Sequence, residues 1–356
     1  MLSKPLIYEY DYPDLAEILE SWGEPKFRVS QVWKGLYQHL RVSPEEFPNI
    51  PKYLRRKLSE EFSFSSLKPM VTLESDDGET IKTLFLLTDG QAVETVLMKY
   101  HERRTLCIST QVGCAMGCVF CATGQMGFKR NLSSGEILEQ VLYYARKLKL
   151  IDECVTNIVI MGMGEPFHNY EDTMMAINRL NHPEGLNLGS RRFTISTVGL
   201  VPLIRRFANE HSQVNLAISL HAADDELRSS LLPINRKYPL KELLDACHDY
   251  VSKTHRRISF EWALIKDVND TPEQARKLGS ILHGLLCHVN VIPLNPTAGY
   301  SGRATSGKRA KVFKAELEQM GIPCTIRVRR GLDIQAGCGQ LAIEKKQSNS
   351  REKHDR

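Results

Sequence analysis

The sequence predicts an α/β fold: an open, partial (β/α)6-type barrel, preceded by a small helical domain and a short β meander. Three observations predict it. Residues 105–330 alternate apolar strand-like segments with amphipathic helical segments, which is typical of parallel strands covered by helices. Only six or seven such units fit, too few for a closed eight-unit barrel. Before them, residues 13–64 have helical periodicity and residues 71–98 have strand periodicity.

Length and composition bound the kind of protein. The chain has 356 residues, enough for about two domains. Its 47 Lys and Arg against 42 Asp and Glu give a net charge of +5, which permits a polyanionic partner without requiring one. No apolar run is long enough to cross a membrane, and Met1–Asp11 lacks the apolar core of a signal peptide. We therefore expect a cytoplasmic protein without membrane contact.

Residues 1–66 are expected to form a helical accessory domain. Pro13 favours the start of a first helix and Gly23 favours its end. A second helix is predicted from Ser30 and a third from Pro51, each with apolar residues on one face.

Residues 67–100 are expected to form a β meander that links this domain to the barrel. Its β-rich segments are separated by Asp-Gly dipeptides, which favour hairpin turns. Glu94 lies inside the last segment, and a lone Glu in a strand usually lies on the exposed face. The three segments are Val71–Leu73, Thr80–Leu86 and Ala92–Met98.

Residues 101–341 are expected to form the partial barrel, and residues 342–356, almost wholly polar and charged, a disordered tail. Ser133 and Glu136 form a capping-box pattern at the first barrel helix. Ligands of such folds bind at the carboxyl ends of the strands, so residues there are candidates for function. The predicted strands are Thr105–Ser109, Asn157–Met161, Arg192–Thr197, Val214–Leu220, Ile258–Leu264, His288–Pro293 and Cys324–Arg327. The predicted helices are Ser133–Leu148, Tyr170–Asn181, Leu200–Glu210, Pro239–Thr254, Thr271–Leu286 and Ser306–Met320.

Three cysteines, Cys114, Cys118 and Cys121, lie at the spacing C-x3-C-x2-C just after the first barrel strand. Thiolates so close in sequence can hold one soft metal centre. An iron–sulfur cluster normally takes four protein ligands, and no fourth cysteine follows at a short spacing. Three thiolates on a four-iron cluster leave one iron open, which suits the binding and reduction of a small molecule.

Two plainer interpretations of these cysteines stay open at this point. They could be buried small apolar residues, or they could hold a structural zinc ion with a distant fourth ligand. The chain has nine cysteines, an odd number with three clustered. That usage favours a reducing compartment and a metal site over a secreted disulfide framework.

Polar residues follow four further strands of the predicted barrel. Gly164 allows a ligand to approach the backbone closely, and Glu165 offers a carboxylate to an ammonium group. Singly, such residues are more often turns or helix caps. Because strand ends meet at one edge, together they predict a polar pocket beside the three cysteines. The other members of this set are Ser196, Ser219, Leu220, His221 and Asn295.

Cys338 lies between two glycines just after the last predicted strand. A cysteine in that setting is exposed and sterically free, which suits a nucleophile, although an idle thiol is the plainer alternative. Cys107, on the first barrel strand, could meet Cys338 if the two edges of the barrel come together. The remaining cysteines lie in apolar segments and are interpreted as structural: Cys154, Cys247, Cys287 and Cys324.

Several segments together are similar to those of one family. They are Cys107–Cys114, Phe120–Gly124, Phe128–Leu132, Gly162–Pro166, Ser219–His221 and Gly331–Gly339. Through them, and over nearly the whole chain, the sequence resembles the RlmN/Cfr family of radical S-adenosylmethionine (SAM) RNA methyltransferases. The resemblance implies that the partial barrel is a radical SAM barrel and that the chain is an enzyme.

The resemblance also implies a role for each candidate residue. Cys114, Cys118 and Cys121 would hold a [4Fe-4S] cluster with SAM on its open iron. Two SAM molecules would be used per turnover, one to methylate Cys338 and one to form a deoxyadenosyl radical that takes a hydrogen from the S-methyl group. Glu94 would take the ring proton of the adenine, and Cys107 would release the product by a transient disulfide with Cys338. The residues that bind SAM would be Gly164, Glu165, Ser196, Ser219, Leu220, His221 and Asn295.

The substrates implied by the resemblance are 23S rRNA and tRNA. The methylated positions would be C2 of one adenosine in the peptidyl-transferase region and of the adenosine next to the anticodon. We also expect an electron donor such as flavodoxin and a monomeric enzyme. Two alternatives stay open: a C8-methylating branch that confers antibiotic resistance, and an RNA-binding protein whose cluster only stabilises the fold or senses oxidation. Basic pairs that could grip RNA phosphates are Lys129-Arg130, Arg191-Arg192, Arg205-Arg206, Arg256-Arg257 and Arg329-Arg330.

Overall fold

The computed structural model describes residues 4–342 and confirms the predicted α/β fold class with a helical N-terminal part. The helices are α1 (Tyr12–Ser21), α2 (Phe27–Tyr37), α3 (Lys52–Glu61), α4 (Ala122–Gln125), α5 (Ser134–Lys149), α6 (Tyr170–Asn181), α7 (Val201–Asn209), α8 (Asp225–Leu231), α9 (Leu240–Thr254), α10 (Pro272–Leu282) and α11 (Gly307–Gln319). The strands are β1 (Leu67–Glu74), β2 (Thr80–Leu87), β3 (Ala92–Lys99), β4 (Arg104–Cys107), β5 (Gln111–Gly113), β6 (Phe128–Asn131), β7 (Asn157–Ile160), β8 (Phe193–Thr197), β9 (Asn215–Ser219), β10 (Ile258–Leu264), β11 (Cys287–Pro293) and β12 (Cys324–Ile326).

The N-terminal helices begin where side chains or early turns supply hydrogen bonds to their first N–H groups. Asp11 caps α1, because its carboxylate accepts from the backbone of Asp14 at 2.9 Å and the reverse bond is also present. Helix α2 begins at Phe27, earlier than the predicted Ser30. The reason is a turn already closed at its start, where the N–H of Arg28 donates to Pro25 O at 2.9 Å. That turn has no apolar periodicity, so the sequence pattern did not include it.

Ten strands of the described chain form one sheet in the order β1-β2-β3-β4-β7-β8-β9-β10-β11-β12. Neighbours from β1 to β4 are antiparallel, and neighbours from β4 to β12 are parallel. The described barrel strands therefore number seven, and their carboxyl ends share one edge. The predicted meander is present as β1–β3 and continues the same sheet.

The two faces of the barrel strands have different roles. Leu106, Ile158 and Phe193 are register partners on one face, and all three are fully buried in the main core. Their neighbours Cys107 and Val159 point to the opposite face, because side chains alternate along a strand. Both of these line a cavity. One face thus builds the core and the other faces the interior of the open barrel.

A short hairpin that the sequence analysis missed frames the cysteine loop. Strand β5 pairs with β6 outside the main sheet, and the loop between them contains Cys114, Cys118 and Cys121. Gly113 has φ +72°, and a Cβ there would lie 1.8 Å from the carbonyl oxygen of Gly127. The segments of β5, β6 and α8 lack the continuous apolar pattern of the barrel strands and helices, so these elements were not predicted.

The segment after β12, residues 327–342, is called here the C-terminal loop. It returns across the open barrel to the meander. The carboxylate of Asp333 accepts from the N–H of Asp76 at 2.8 Å, and the carboxylate of Glu94 accepts from the N–H of Ala342 at 2.9 Å. The loop therefore joins the two ends of the ten-stranded sheet and covers part of the strand-end edge.

Two sequence-based expectations concern the ends and boundaries of the chain. The predicted tail, residues 342–356, lies outside the described residues apart from Ala342. The domain boundaries after residues 66, 100 and 341 remain predictions. Among residues 4–342, no helix combines the length and the apolar character needed to span a membrane.

Candidate active site

A cleft at the carboxyl ends of the parallel strands brings together most of the predicted site residues. The solvent-accessible space inside it is about 160 Å³, and the cleft is open to solvent. The residues of the predicted site that line it are Cys114, Cys118, Cys121, Gly164, Glu165, Ser196, Ser219, His221, Asn295 and Cys338. Three predicted residues lie elsewhere: Cys107 lines an adjoining cavity, Glu94 is buried behind that cavity, and Leu220 is fully buried in the core.

The three clustered thiols form one side of the cleft. Burial and the charges of Glu165 and Cys121 raise the pKa of Cys114 to about 12, and burial with the neighbouring thiols raises the pKa of Cys118. These thiols need a metal cation to ionise. Among residues 4–342, no three His, Cys, Asp or Glu side chains are grouped around one metal ion. In an iron–sulfur cluster each thiolate binds a different iron, so the sulfurs need only face a common space. The three thiols that line the cleft fit such a cluster.

Glu165 follows β7 and lies on the floor of the cleft. Its Oε1 accepts from the N–H of Phe167 at 3.0 Å, and its Oε2 accepts from the N–H of Val198 at 2.9 Å. Burial raises the pKa of this carboxyl to about 7. Gly164 beside it has φ +107°, and a Cβ there would lie 2.6 Å from the side chain of Gln111. A carboxylate so held, with unused lone pairs, fits an ammonium group.

Strands β8 and β9 end in hydroxyl and imidazole groups. Ser196 Oγ and Ser219 Oγ are 3.4 Å apart on the two strands. His221 Nδ1 accepts from the N–H of Ala263 at 2.9 Å, which leaves the ring proton on Nε2. Burial lowers the pKa of His221 to about 3, so the ring is a neutral hydrogen-bond donor. Leu220 between these two residues does not line the cleft and is fully buried in the core.

Asn295 follows β11 and connects the cleft to the C-terminal loop. Its Nδ2 donates to the carbonyl oxygen of Cys338 at 3.0 Å. Its Oδ1 is buried and has no hydrogen-bond partner among the described residues. Because buried polar atoms are rarely left unpaired, this oxygen fits a donor group of a bound cofactor. A sulfonium nucleotide such as SAM carries an ammonium group, ribose hydroxyls and an adenine amine that match the carboxylate, hydroxyl and amide groups here.

A second cavity, with about 100 Å³ of solvent-accessible space, adjoins the cleft on the side of the meander. Cys107 and Cys338 both line it, and Cys338 lines the cleft as well. The Cys338 thiol is exposed. Burial, with a smaller contribution from the charge of Cys338, raises the pKa of Cys107 to about 12. The edges of the barrel therefore come close enough for the two cysteines to share one space.

Glu94 is 4% exposed, so the expectation that a lone Glu lies on the exposed face of the strand is wrong here. It lies two residues from Val96 and thus on the same face of β3. Val96 is the register partner of Cys107 and lines the second cavity. The carboxylate of Glu94 forms an ion pair with Lys82, whose Nζ lies 3.0 Å from Oε1. Glu94 is therefore adjacent to the two-cysteine cavity.

Two residues that support the site were missed by the sequence analysis. Lys82 is 8% exposed in an otherwise apolar strand, and that interruption was the available signal. Arg228 is fully buried and donates to the carbonyl oxygens of Val198 at 2.7 Å and Leu220 at 3.2 Å, which joins the ends of β8 and β9. Nothing in the polar segment around Arg228 marks it in the sequence.

The remaining cysteines separate into two groups. Cys247, Cys287 and Cys324 are buried, in agreement with a structural interpretation. The interpretation of Cys154 as part of an apolar helix or strand is wrong. It is exposed in the connection between α5 and β7, where a short polar loop interrupts the apolar pattern.

Comparison with known proteins gives a consistent result. The model of the radical SAM superfamily matches residues 108–278, and the model of the ribosomal RNA large subunit methyltransferase N-terminal domain matches residues 7–63. A probable dual-specificity RNA methyltransferase RlmN of Chloroflexus aurantiacus is 48% identical over 94% of this chain and 92% of its own length. The dual-specificity RNA methyltransferase RlmN 1 of Myxococcus xanthus is 48% identical over 94% of this chain and 93% of its own length.

A solved structure agrees with these relatives. The crystal structure of a radical SAM methyltransferase from Sphaerobacter thermophilus superposes with a TM-score of 0.93 and 49% sequence identity, and it covers 96% of this chain and 100% of that one. The predicted family resemblance is thereby confirmed, and with it a [4Fe-4S] cluster and SAM as cofactors and RNA as the substrate class. The chain belongs to the RlmN family of radical SAM RNA methyltransferases.

Proposed function

We propose that this chain methylates carbon C2 of an adenosine in 23S rRNA and of the adenosine next to the anticodon in tRNAs, through an S-methyl intermediate on Cys338. One observation supports the proposal most directly. The exposed thiol of Cys338 lines both the cleft of the cluster cysteines and the cavity of Cys107. One sulfur can therefore serve methyl transfer from the cofactor side and product release on the other side.

The first step uses Cys338 as a nucleophile. Its thiolate displaces the methyl group of one SAM, which leaves S-adenosylhomocysteine and an S-methyl group on the protein. Asn295 holds the Cys338 backbone during this step, and Glu165, Ser196, Ser219 and the neutral ring of His221 orient the cofactor. This assignment makes two SAM molecules necessary for each turnover, one here and one for the radical step.

The second step forms the carbon–carbon bond. When bound, the cluster and a second SAM supply a one-electron cleavage that yields a radical able to take a hydrogen atom from an unactivated methyl group. The S-methyl carbon on Cys338 loses that hydrogen and bonds to C2 of the adenine. The adduct radical then gives up one electron, which balances the electron consumed in the cleavage of SAM. Glu94 takes the proton from C2 of the adenine.

The last step releases the product. The Cys107 sulfur attacks the Cys338 sulfur, a disulfide forms, and the carbon–sulfur bond breaks with both electrons on the carbon, which takes up a proton to become the new methyl group. Two electrons must then reduce the disulfide before the next turnover.

We assign the supply of these electrons to a donor such as flavodoxin. We also propose that the enzyme acts as a monomer in the cytoplasm. All nine cysteines are free, which supports a reducing compartment.

The RNA is proposed to enter along the second cavity. Arg329 is exposed on the wall of this cavity and forms no ion pair with another residue of 4–342. Tyr100 lies beside it, with the guanidinium groups of Arg103 and Arg330 at 5.0 and 4.6 Å from its ring centre. Arginine and aromatic side chains at a rim suit phosphates and unstacked bases. The adenosine must leave its stack to reach the cysteines.

Two of the other basic pairs contain an arginine whose charge is neutralised by carboxylates. Arg130 pairs with Asp89 and Glu136, and Arg206 pairs with two glutamates on the outer helices. Of the pair Arg329-Arg330, we propose Arg329 as the RNA contact, because it is exposed at the second cavity, whereas Arg330 forms an ion pair with Glu79.

Nucleoside analysis tests the proposed function. Protein reconstituted anaerobically with iron and sulfide is incubated with an rRNA fragment or tRNA, SAM and a reductant, and the digested RNA is analysed. We expect 2-methyladenosine. Finding 8-methyladenosine without 2-methyladenosine would overturn the assignment of C2.

Two cysteine variants test the roles in this scheme. Cys338→Ala is expected to abolish methylation, and Cys107→Ala is expected to leave protein covalently attached to RNA. Cys154→Ala is the matched control, because that thiol is exposed but lies outside both cavities. Full methylation by Cys338→Ala would favour a cluster that only stabilises the fold or senses oxidation.

A further inference from the structure

We propose that Lys82 is a positioning residue of this reaction, whose ammonium group holds both the carboxylate of Glu94 and the loop that carries Cys338. The inference rests on the proposed function, because Lys82 acts through Glu94 and Cys338 and touches neither cofactor nor substrate. It adds a residue from the meander to an active site that is otherwise built on the barrel.

The contacts of Lys82 join two parts of the chain that are distant in sequence. Its Nζ lies 3.0 Å from Oε1 of Glu94 and 3.2 Å from the carbonyl oxygen of Gln335. The other carboxylate oxygen of Glu94 accepts from the N–H of Ala342 at 2.9 Å. Gln335 precedes Cys338 in the C-terminal loop, and Ala342 follows it. The ion pair thus holds the loop on both sides of the nucleophile.

Strand register puts this ion pair beside the reacting sulfurs. Lys82 on β2, Val96 on β3 and Cys107 on β4 are partners in one row across three strands. Glu94 lies on the same face as Val96, because residues two apart along a strand point the same way. Val96 and Cys107 both line the cavity that Cys338 faces. The ammonium group of Lys82 and the carboxylate of Glu94 therefore lie on the face of the sheet that borders the cavity shared by Cys107 and Cys338, where the product is proposed to be released.

Packing alone does not explain a buried ion pair at this position. Lys82 and Glu94 are 8% and 4% exposed, and they interrupt strands that are otherwise largely apolar. Two apolar side chains of similar size would serve stability about as well as a buried pair of charges. The pair does supply something that apolar residues would not. A buried carboxylate without a cation tends to take up a proton, and a protonated Glu94 could not accept the C2 proton of the adduct.

The chemistry of the proposed function separates the two steps that Lys82 could affect. Methylation of Cys338 needs no proton acceptor, and at that step Asn295 holds the Cys338 backbone from the cleft side. Removal of the C2 proton needs Glu94 in its ionised form and the loop in its closed position. A positioning role for Lys82 therefore predicts a defect in the second step alone, whereas a general role in folding would impair both.

The experiment compares Lys82→Met, Lys82→Arg, Glu94→Gln and the double variant Lys82→Met/Glu94→Gln. Mass spectrometry of the peptide that contains Cys338 measures S-methylation, and nucleoside analysis with denaturing gels measures methylated RNA and the protein–RNA adduct. Lys99→Met is the matched control, because Lys99 forms an ion pair with Glu74 in the same meander but does not contact the loop through its side chain.

We expect Lys82→Met to methylate Cys338 at a rate within about twofold of that of the wild-type protein. It should form methylated RNA at least tenfold more slowly than the wild type and accumulate the protein–RNA adduct. Lys82→Arg, which keeps the charge, restores most of the RNA methylation. The double variant is no slower than Glu94→Gln alone, because residues that act through one another are not additive. Lys99→Met behaves as the unmodified protein.

Two outcomes would overturn the inference. In the first, Lys82→Met slows methylation of Cys338 and methylation of RNA equally. In the second, the double variant methylates RNA more slowly than Glu94→Gln by the full effect of Lys82→Met. If Lys82→Met does not fold, the double variant, which removes both charges, is compared directly with Glu94→Gln. A double variant that methylates RNA more slowly than Glu94→Gln then overturns the inference. Failure of the proposed function gives a different result, because the wild-type protein would then form no S-methyl group on Cys338 at all.

Discussion

The side-chain amide of Asn295 donates from Nδ2 to the carbonyl oxygen of Cys338 at 3.0 Å, while its Oδ1 is buried at the cleft without a partner among the described residues. The same side chain thus holds the loop of the nucleophile and offers an acceptor to the cofactor. The contact is close, because a Cβ on Gly337 would lie 2.6 Å from the Asn295 Nδ2. Under the proposed function, SAM binding and the position of Cys338 are coupled through Asn295.

Asn295→Ala is therefore expected to weaken SAM binding and to slow methylation of Cys338 together. The loss of one hydrogen bond to the cofactor and one to the loop predicts about tenfold weaker SAM binding and about tenfold slower methylation of Cys338. Calorimetry on reconstituted protein and mass spectrometry of the Cys338 peptide measure the two effects. Asn215→Ala, which removes hydrogen bonds at the other end of β9, is the control and leaves both unchanged. Unaltered SAM affinity in Asn295→Ala would contradict the coupling.

Cys118→Ala is expected to abolish cluster binding. Cys118 is buried among the three thiols of the cleft, and two remaining thiolates cannot hold the cluster. Iron analysis after anaerobic reconstitution should fall from about four iron atoms per chain to nearly none. Cys247→Ala, which removes a buried thiol outside the cleft, should keep its iron. A Cys118→Ala protein that retains a full iron content would remove this cysteine from the ligand set.

Arg329→Gln is expected to weaken RNA binding without altering SAM binding. A single phosphate contact predicts a loss of roughly 1 kcal/mol and a salt-dependence slope reduced by about one. Binding of the tRNA measured across a range of salt concentrations gives both values. Arg205→Gln, an exposed arginine on α7 away from the cleft, is the matched control. An unchanged slope for Arg329→Gln would exclude this arginine as a phosphate contact.

Differential alkylation checks the environment of Cys107 and Cys338. Because burial raises the pKa of Cys107 to about 12, this thiol is mostly protonated at pH 8, and its reactive ionised fraction grows with rising pH. In folded, metal-free protein, iodoacetamide should label the exposed Cys338 and Cys154 at least tenfold faster than Cys107. Peptide mass spectrometry over time measures the rates. Labelling of Cys107 as fast as Cys154 would contradict its burial.

Arg228→Met is expected to destabilise the barrel. The substitution leaves the carbonyl oxygen of Val198 without its guanidinium donor and removes one of two donors to Leu220, whose carbonyl oxygen also accepts from the N–H of Ala222; the expected cost is about 2 kcal/mol. For a chain of this size the melting temperature should fall by roughly 5 °C. Arg228→Lys should recover part of the loss, and Arg205→Met should have no effect. A melting temperature unchanged by Arg228→Met would mean that water replaces the guanidinium.

The sequence allowed the barrel to be predicted closely because its strands are continuous apolar segments with polar ends. Helix α6 begins and ends at the predicted residues, Tyr170 and Asn181. The capping box at Ser133 and Glu136 is confirmed as well. The hairpin β5–β6 and helix α8 were not predicted, since such short elements depend on contacts with the rest of the fold.

The site was predictable where a residue follows a strand, and less so where the fold brings separate segments together. Ser219 and His221 line the cleft, but Leu220 between them does not, because β9 ends at Ser219 and the backbone turns at His221, which has φ +61°. The burial of Glu94 could not be inferred in the same way. It depends on its pairing with Lys82 across two strands and on a loop that returns from far along the chain.

The return of the C-terminal loop has a consequence for synthesis on the ribosome. The cluster cysteines leave the exit tunnel roughly two hundred residues ahead of Cys338. Under the proposed roles, a nascent chain gathers its iron ligands before the methyl-accepting thiol has been translated. The proposed chemistry then becomes available only when the last strand has joined the barrel and the loop has crossed back to the second strand.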